Sequence, residues 1–165
     1  MARLERLSPN HAVASFRSGN ADLDIWLHDA AVTADRSGTA RVYIWIDEAV
    51  IGYFAIVPHT IRRDDVPSAV GRGAPDVIPG YLLARLAVSE HLHGHGHGGE
   101  LLAHALQTTL GAVRIGGGRV IVVDAIDDRA HSFYAHFGFR PIAANPNRLV
   151  MKASTAAASL AVEWP

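Results

Sequence analysis

HLHGHGHGGELL, residues 91–102, admits two opposed readings. Four histidines, His91, His93, His95 and His97, alternate along it, and four glycines, Gly94, Gly96, Gly98 and Gly99, follow closely. In an extended strand alternate side chains share a face, so the imidazoles would converge on zinc, copper or nickel. The glycines oppose a regular strand. A helical pattern also follows at once, with Leu101, Leu102, Ala105, Leu106, Thr109, Leu110 and Val113 at helical spacing. Before the stretch lies YLLARLAVS, residues 81–89, a nearly continuous apolar run suited to a central strand buried on both faces. A buried strand, a glycine-rich turn and a helix make an anion site. The first helical turn offers free N–H groups and the positive end of its dipole, and glycine lets phosphate approach the backbone closely. The spacing is not the Gly-x-x-x-x-Gly-Lys-Ser/Thr of a Walker loop. Nor is it a first-strand Gly-x-Gly-x-x-Gly with an acidic residue about 20 positions on. The expectation is a phosphate or pyrophosphate loop with no functional metal.

Working outward, residues 4–7 suit a short first strand. Residues 18–38, SGNADLDIWLHDAAVTADRSG, suit a helix with Asn20 as N-cap, Asp22 and Asp24 in the first turn, and a stripe of Leu23, Trp26, Leu27, Ala30 and Ala31. ARVYIWID (40–47) and VIGYFAIV (50–57) form a hairpin turned at Glu48 and Ala49. Residues 62–80 carry three prolines and three glycines, which makes a loop with one helical turn. RVIVVDAI is a further buried strand. A short helix follows from Asp128 to Phe137, with Ala130, Phe133, Tyr134 and Phe137 on one face and Gly138 as its cap. FRPIAANPNRLVMKA reads as two final strands around residues 145–147. The low-complexity tail STAAASLAVEWP carries no assignable element. This order predicts an α/β (α+β) fold with a mixed sheet, in a single domain over residues 1–152 followed by a tail over 153–165.

The 165-residue chain is long enough for one domain with a core, and 49% hydrophobic against 19% charged residues is a globular balance. A formal net charge of −1 gives no global basic field for nucleic acid. Lys152 is the one lysine; all other basic residues are arginine, whose planar fork grips phosphate. A genome that favours arginine and alanine codons would give the same bias. With no cysteine, disulfides, thiolate metal sites and a cysteine nucleophile are excluded. No apolar run reaches the roughly 18 residues of a membrane span. The first residues also lack a signal-peptide core. The expectation is a soluble, cytoplasmic protein without membrane contact.

Residues 93–98, HGHGHG, resemble the pyrophosphate loop of the GNAT superfamily of acyl-CoA N-acetyltransferases, Arg/Gln-x-x-Gly-x-Gly/Ala. Gly96 and Gly98 match its two glycines, and His93 stands where arginine or glutamine is usual. RLAVSEHLHGHGHGGELLAHAL is similar to the family's strand, loop and helix, and SFYAHFGFRP (132–141) to its last helix and exit. The resemblance implies a mostly antiparallel mixed sheet with splayed fourth and fifth strands, flanked by helices. It implies acetyl-CoA bound by His93, Gly94, His95, Gly96, Gly98 and Gly99, chiefly through backbone amides. A backbone N–H among Leu86, Ala87 and Val88 would face the thioester oxygen, and Tyr134 would be the general acid toward the leaving sulfur. A phenol, with an ordinary pKa of about 10, is protonated and able to donate at neutral pH.

FRSGNADLDIWL (16–27) resembles the opening of the first helix in GNAT-type toxins of bacterial toxin–antitoxin modules. GYFAIVPHTI and LLARLAVSEHLHGHGHG resemble their middle strands, so that the likeness covers most of residues 4–152. It implies acetylation of the α-amine of aminoacyl-tRNA, a ribbon-helix-helix antitoxin as partner, and a homodimer. The alternative is a GNAT enzyme acting on a small amine or a protein N-terminus. Arg62, Arg63 and Arg72, in or near the proline- and glycine-rich loop, are candidates for tRNA phosphate contacts. Arg85, in a strand read as buried, needs the substrate cleft or a carboxylate such as Asp124. Asp124 and Asp127 follow a buried strand, and one of them is expected to cap the last helix. His59 is a further position from which the acceptor could be lined. Phe133 and Phe137 are expected in the core, and His131 and His136 on the surface.

Overall fold

The computed structural model describes residues 1–164. Seven strands form one mixed sheet: β1 (Arg3–Arg6), β2 (Arg41–Asp47), β3 (Ala49–Arg62), β4 (Val77–Val88), β5 (Val120–Asp124), β6 (Arg140–Pro141) and β7 (Arg148–Lys152), in the order β1-β2-β3-β4-β5-β7-β6. The helices are α1 (Ala21–Asp29), α2 (Ala31–Ser37), α3 (Ser68–Gly71), α4 (His97–Gly116), α5 (Asp128–His136) and α6 (Ala153–Ser159). The α/β class read from the sequence holds. Residues gather into two compact units, 1–57 with 84–105, and 58–83 with 106 onward. Among the described residues no helix is long and apolar enough to cross a membrane.

In the first unit β1, β2 and β3 pair as antiparallel neighbours, and Leu27 and Ala31 bury against Val42, Ile44, Tyr53 and Ala55. Asn20 caps α1 as expected, its side chain accepting the Leu23 N–H at 3.0 Å. The helix expected over residues 18–38 is two helices, broken at Ala30 (φ −122°). Each piece is pinned by its own buried carboxylate. Asp24 accepts from the Ser18 N–H and Oγ, and Asp35 accepts from Arg6 Nη2 at 2.7 Å and the Val42 N–H at 2.9 Å. Apolar periodicity carries no sign of such a break.

Asp35 is 5% exposed. Burial pushes its carboxyl up, but the Arg6 hydrogen bond, the Val42 amide and the charges of Arg6 and Arg41 together hold it below the ordinary aspartate value. A depressed folded-state pKa contributes stability that is full above the unfolded value, about 3.9, and lost as pH falls through the folded one. Asp35→Asn is therefore expected to cost about 1–2 kcal/mol at pH 7. The gap in urea midpoint between variant and wild type should close as pH falls below about 4. A gap that stayed constant down to pH 3 would show that the carboxylate's charge is not what stabilises.

In the second unit β4 runs parallel to β5, and β5 and β6 each run antiparallel to β7. Gly80 sits opposite Val120, whose carbonyl lies where a Cβ would go, so the strands approach too closely for any side chain there. The pairing of β4 with β5 covers only residues 80–83 against 120–123, and β4 continues to Val88. This is the parting of the fourth and fifth strands.

Three expectations change. The loop expected over residues 62–80 is shorter, because β3 runs to Arg62 and β4 starts at Val77; a 3-10 turn (Arg63–Asp65) and α3 lie between. β4 is not buried throughout: Ala84 is exposed, and Arg85 and Leu86 are half-buried. The alanine-rich tail forms α6, with Ala153, Ala156 and Ala157 buried and the Ala153 N–H donating to the Arg119 carbonyl at 2.8 Å. Alanine is the strongest helix former, so propensity acts where no amphipathic pattern is visible.

Candidate active site

β4 ends in a defined backbone pattern. The Ser89 N–H donates to the Ile51 carbonyl of β3 at 2.8 Å, and the Ala87 carbonyl lies 3.0 Å from where a Cβ on Gly52 would stand. Within a strand a residue's N–H and C=O point the same way, and the direction alternates. Ala87 and Ser89 thus face β3, and Leu86 and Val88 turn their amides away from it. Pairing with β5 ends at Leu83. The N–H groups of Leu86 and Val88 are therefore donors with no ladder partner on β5. The expectation over Leu86, Ala87 and Val88 narrows to the first and third.

The loop is tied to this strand end. His93 Nε2 lies 2.9 Å from the Val88 carbonyl, which can only accept, so Nε2 carries the proton. His91 Nδ1 meets Ser89 Oγ at 2.8 Å. Gly94 and Gly96 take left-handed φ of 82° and 81°, and no heavy atom lies within 4 Å of a Cβ built on either. Both adopt a conformation that side chains rarely take, and the backbone is uncovered on the side a Cβ would occupy. α4 begins at His97, earlier than the apolar pattern suggests, so Gly98 and Gly99 lie in its first turn, where amides lack intrahelical acceptors. His95 is exposed, and His97 lies beside Glu100 and the Trp45 ring. Among the described residues no three ligating side chains gather to hold a metal ion.

Tyr134 projects from α5, which Asp127 caps by accepting the Ala130 N–H at 2.8 Å. Its ring is buried edge-on to Phe133 and Phe139. Burial, and then the nearby charge of Asp124, push the phenol above its ordinary pKa. The hydroxyl has no hydrogen-bond partner among the described residues. Among the described residues no unpartnered side-chain polar atom is fully enclosed, so this hydroxyl keeps some exposure. Phe137, expected in the core, is 40% exposed, and Phe133 is half-buried. His131 is half-buried rather than on the surface.

The arginines divide. Arg63 is bound to Asp76 at 2.6 Å and to the Ala74 carbonyl. Arg62 and Arg72 are exposed and unpaired among the described residues. Arg85 takes no carboxylate; its guanidinium lies 4.5 Å over the Trp26 ring, which stacks on Tyr53. The carboxylate foreseen for it, Asp124, is held by Arg148 instead.

Residues 38–141 match the family model described as the acetyltransferase (GNAT) domain. The chain belongs to the GNAT acetyltransferase family. As a GNAT protein it is an acyl-CoA N-acetyltransferase. It is 34% identical over 147 residues, 88% of this chain and 89% of the relative, to the tRNA-acetylating toxin of Mycobacterium tuberculosis (strain ATCC 25618 / H37Rv). Its fold matches AtaT complexed with acetyl-methionyl-tRNAfMet at a TM-score of 0.88, with 26% identity and 96% and 99% of the two chains covered. It also matches a tyrosine-to-phenylalanine variant of AtaT bound to the C-terminus of the antitoxin AtaR and acetyl-CoA: TM-score 0.82, 26% identity, 96% and 97% covered.

One cluster escaped the sequence. Arg148 holds both oxygens of Asp124, at 2.7 and 2.8 Å, and its remaining nitrogen meets His59 Nε2 at 3.3 Å. Burial, and then the Arg148 charge, lower the basicity of His59. His59 and Asp124 drew attention singly; nothing in the sequence joins them to Arg148.

Proposed function

We propose that this GNAT enzyme acetylates the α-amine of an amino acid carried on tRNA, and so halts translation as the toxin of a toxin–antitoxin module. The observation that carries this is the 34% identity, over nearly the whole chain, to a tRNA-acetylating toxin. The fold match to AtaT with its acetylated tRNA supports it.

The chemistry suits these side chains. The neutral amine attacks the thioester carbonyl of acetyl-CoA; the C–N bond forms as the C–S bond breaks. The N–H groups of Leu86 and Val88 stabilise the developing oxyanion. Tyr134 gives its proton to the leaving sulfur, and the product nitrogen releases one to solvent. An α-amine beside an ester has a low pKa, so no strong base is needed. His93, Gly94, His95, Gly96, Gly98 and Gly99 hold the pyrophosphate, mainly through main-chain amides at the start of α4. Arg62 and Arg72 meet tRNA phosphates, with Arg63 bracing their loop through Asp76; Arg85 stays on the substrate side. The catalytic domain is residues 1–152, with α6 appended. The enzyme acts in the cytoplasm as a homodimer and is neutralised by a ribbon-helix-helix antitoxin.

Transfer of label from radiolabelled acetyl-CoA to a pool of charged tRNAs tests this, with deacylated tRNA and free amino acids alongside. Label on charged tRNA alone is expected. An unlabelled tRNA pool, with label on small amines or protein N-termini, would overturn it.

A further inference from the structure

The cluster of His59, Asp124 and Arg148 lies within one unit of the chain. A guanidinium has donors and no acceptor, so His59 Nε2 accepts from Arg148 and the ring's single proton sits on Nδ1. Burial and the Arg148 charge, opposed by the charge of Asp124, keep the ring neutral. Nδ1 has no hydrogen-bond partner among the described residues, and no unpartnered side-chain atom is fully enclosed, so this N–H reaches open space. His59 lies on the face of β3 that carries Ile61, as Arg148 lies on the face of β7 that carries Val150, and Ile61 and Val150 share one core cluster. Asp124 ends β5, one residue past the Leu83–Val123 pair where β4 and β5 part, and its charge is felt by the Tyr134 phenol. The carboxylate of the cluster therefore lies within electrostatic range of the proposed acid.

We infer that His59 binds the acceptor. Its Nδ1–H donates to the carbonyl oxygen beside the attacking amine, and Arg148 and Asp124 are positioning residues that fix its tautomer. Every amino acid ester carries that carbonyl, whatever its side chain, so one neutral donor selects α-aminoacyl groups over plain amines. A neutral ring also avoids repelling acceptor molecules that still carry an ammonium group. His59 is thus a donor and not the base. The inference rests on the reading of the acceptor as an aminoacyl group.

Two substitutions separate the ring's nitrogens. His59→Asn keeps an amide N–H near the Nδ1 position and loses the bond to Arg148. His59→Gln keeps an acceptor for Arg148 and loses the donor. The readouts are kcat/KM for charged tRNA, for a small α-amino acid ester and for a simple alkylamine, with acetyl-CoA affinity and Tm as controls. His59→Gln is expected to lower kcat/KM about 10–30-fold for both α-amino substrates and to leave the alkylamine unchanged. His59→Asn should stay within about 3-fold of wild type, with acetyl-CoA affinity unchanged in both. Damage confined to His59→Asn would mean that the ring only braces Arg148, and equal damage in both, or none, would likewise overturn the inference. A wild type that acetylates the ester but no tRNA would overturn the tRNA reading alone, and the two variants would still decide the role of His59 on the ester.

Discussion

Tyr134→Phe is expected to lower kcat by about 10²–10³-fold while acetyl-CoA binds as tightly as before. The change removes one oxygen and keeps the ring between Phe133 and Phe139, so the core stays filled. The hydroxyl has no protein partner among the described residues, so its loss leaves no buried group unsatisfied and Tm should hardly move. The missing proton is a different matter, because an unprotonated thiolate is a poor leaving group. Burial and the charge of Asp124 raise the phenol's pKa, so the acid form persists across the working range. No basic limb from this group should appear in the kcat profile between pH 7 and 10. Turnover at the wild-type level would end the general-acid role. A weakened acetyl-CoA affinity would make Tyr134 a binding residue instead.

Gly96→Val is expected to weaken acetyl-CoA at least about 100-fold, measured by calorimetry. Two effects combine. A β-branched residue at φ 81° is strained, and its side chain would occupy the open space above the loop's amides. Gly38 separates them. It has φ 80°, an equally empty neighbourhood, and a place at the end of α2 outside the loop. Gly38→Val should share the strain, about 1–2 kcal/mol, and leave acetyl-CoA affinity intact. Unchanged affinity in Gly96→Val would remove the loop from the cofactor site.

How far the sequence reaches follows from the range of each signal. The strand, loop and helix around residues 81–113 were legible because apolar runs, glycines and helical periodicity are local. Asn20 was legible as a cap, and the cap of α5 as Asp124 or Asp127, because capping is decided within a few residues; Asp127 is the one that caps. The break at Ala30 was not, since the carboxylates that hold the two pieces bond to Ser18, Arg6 and Val42, partners that apolar periodicity does not reveal. The candidate loop showed in its glycines and the helix after them, whereas Tyr134 was named through the resemblance to the GNAT family. The alternation that singles out Leu86 and Val88 required the register against β3. For Arg85 the sequence offered the substrate cleft or a carboxylate, and the contact it makes is with a ring from α1, which no spacing rule shows. The bond from Arg148 to His59 spans 89 positions and joins β7 to β3, beyond any spacing rule.

The two left-handed glycines have a wider consequence. A loop that addresses its ligand with main-chain amides stores its information in torsion angles, and side chains between the glycines are free to drift. His93 in place of the usual arginine or glutamine is the kind of change such a loop tolerates. The groups proposed for the acceptor, His59 and the unpaired arginines, are side chains, where one codon alters the chemistry. Substitution there would alter how the acceptor is held while the acetyl donor stays the same.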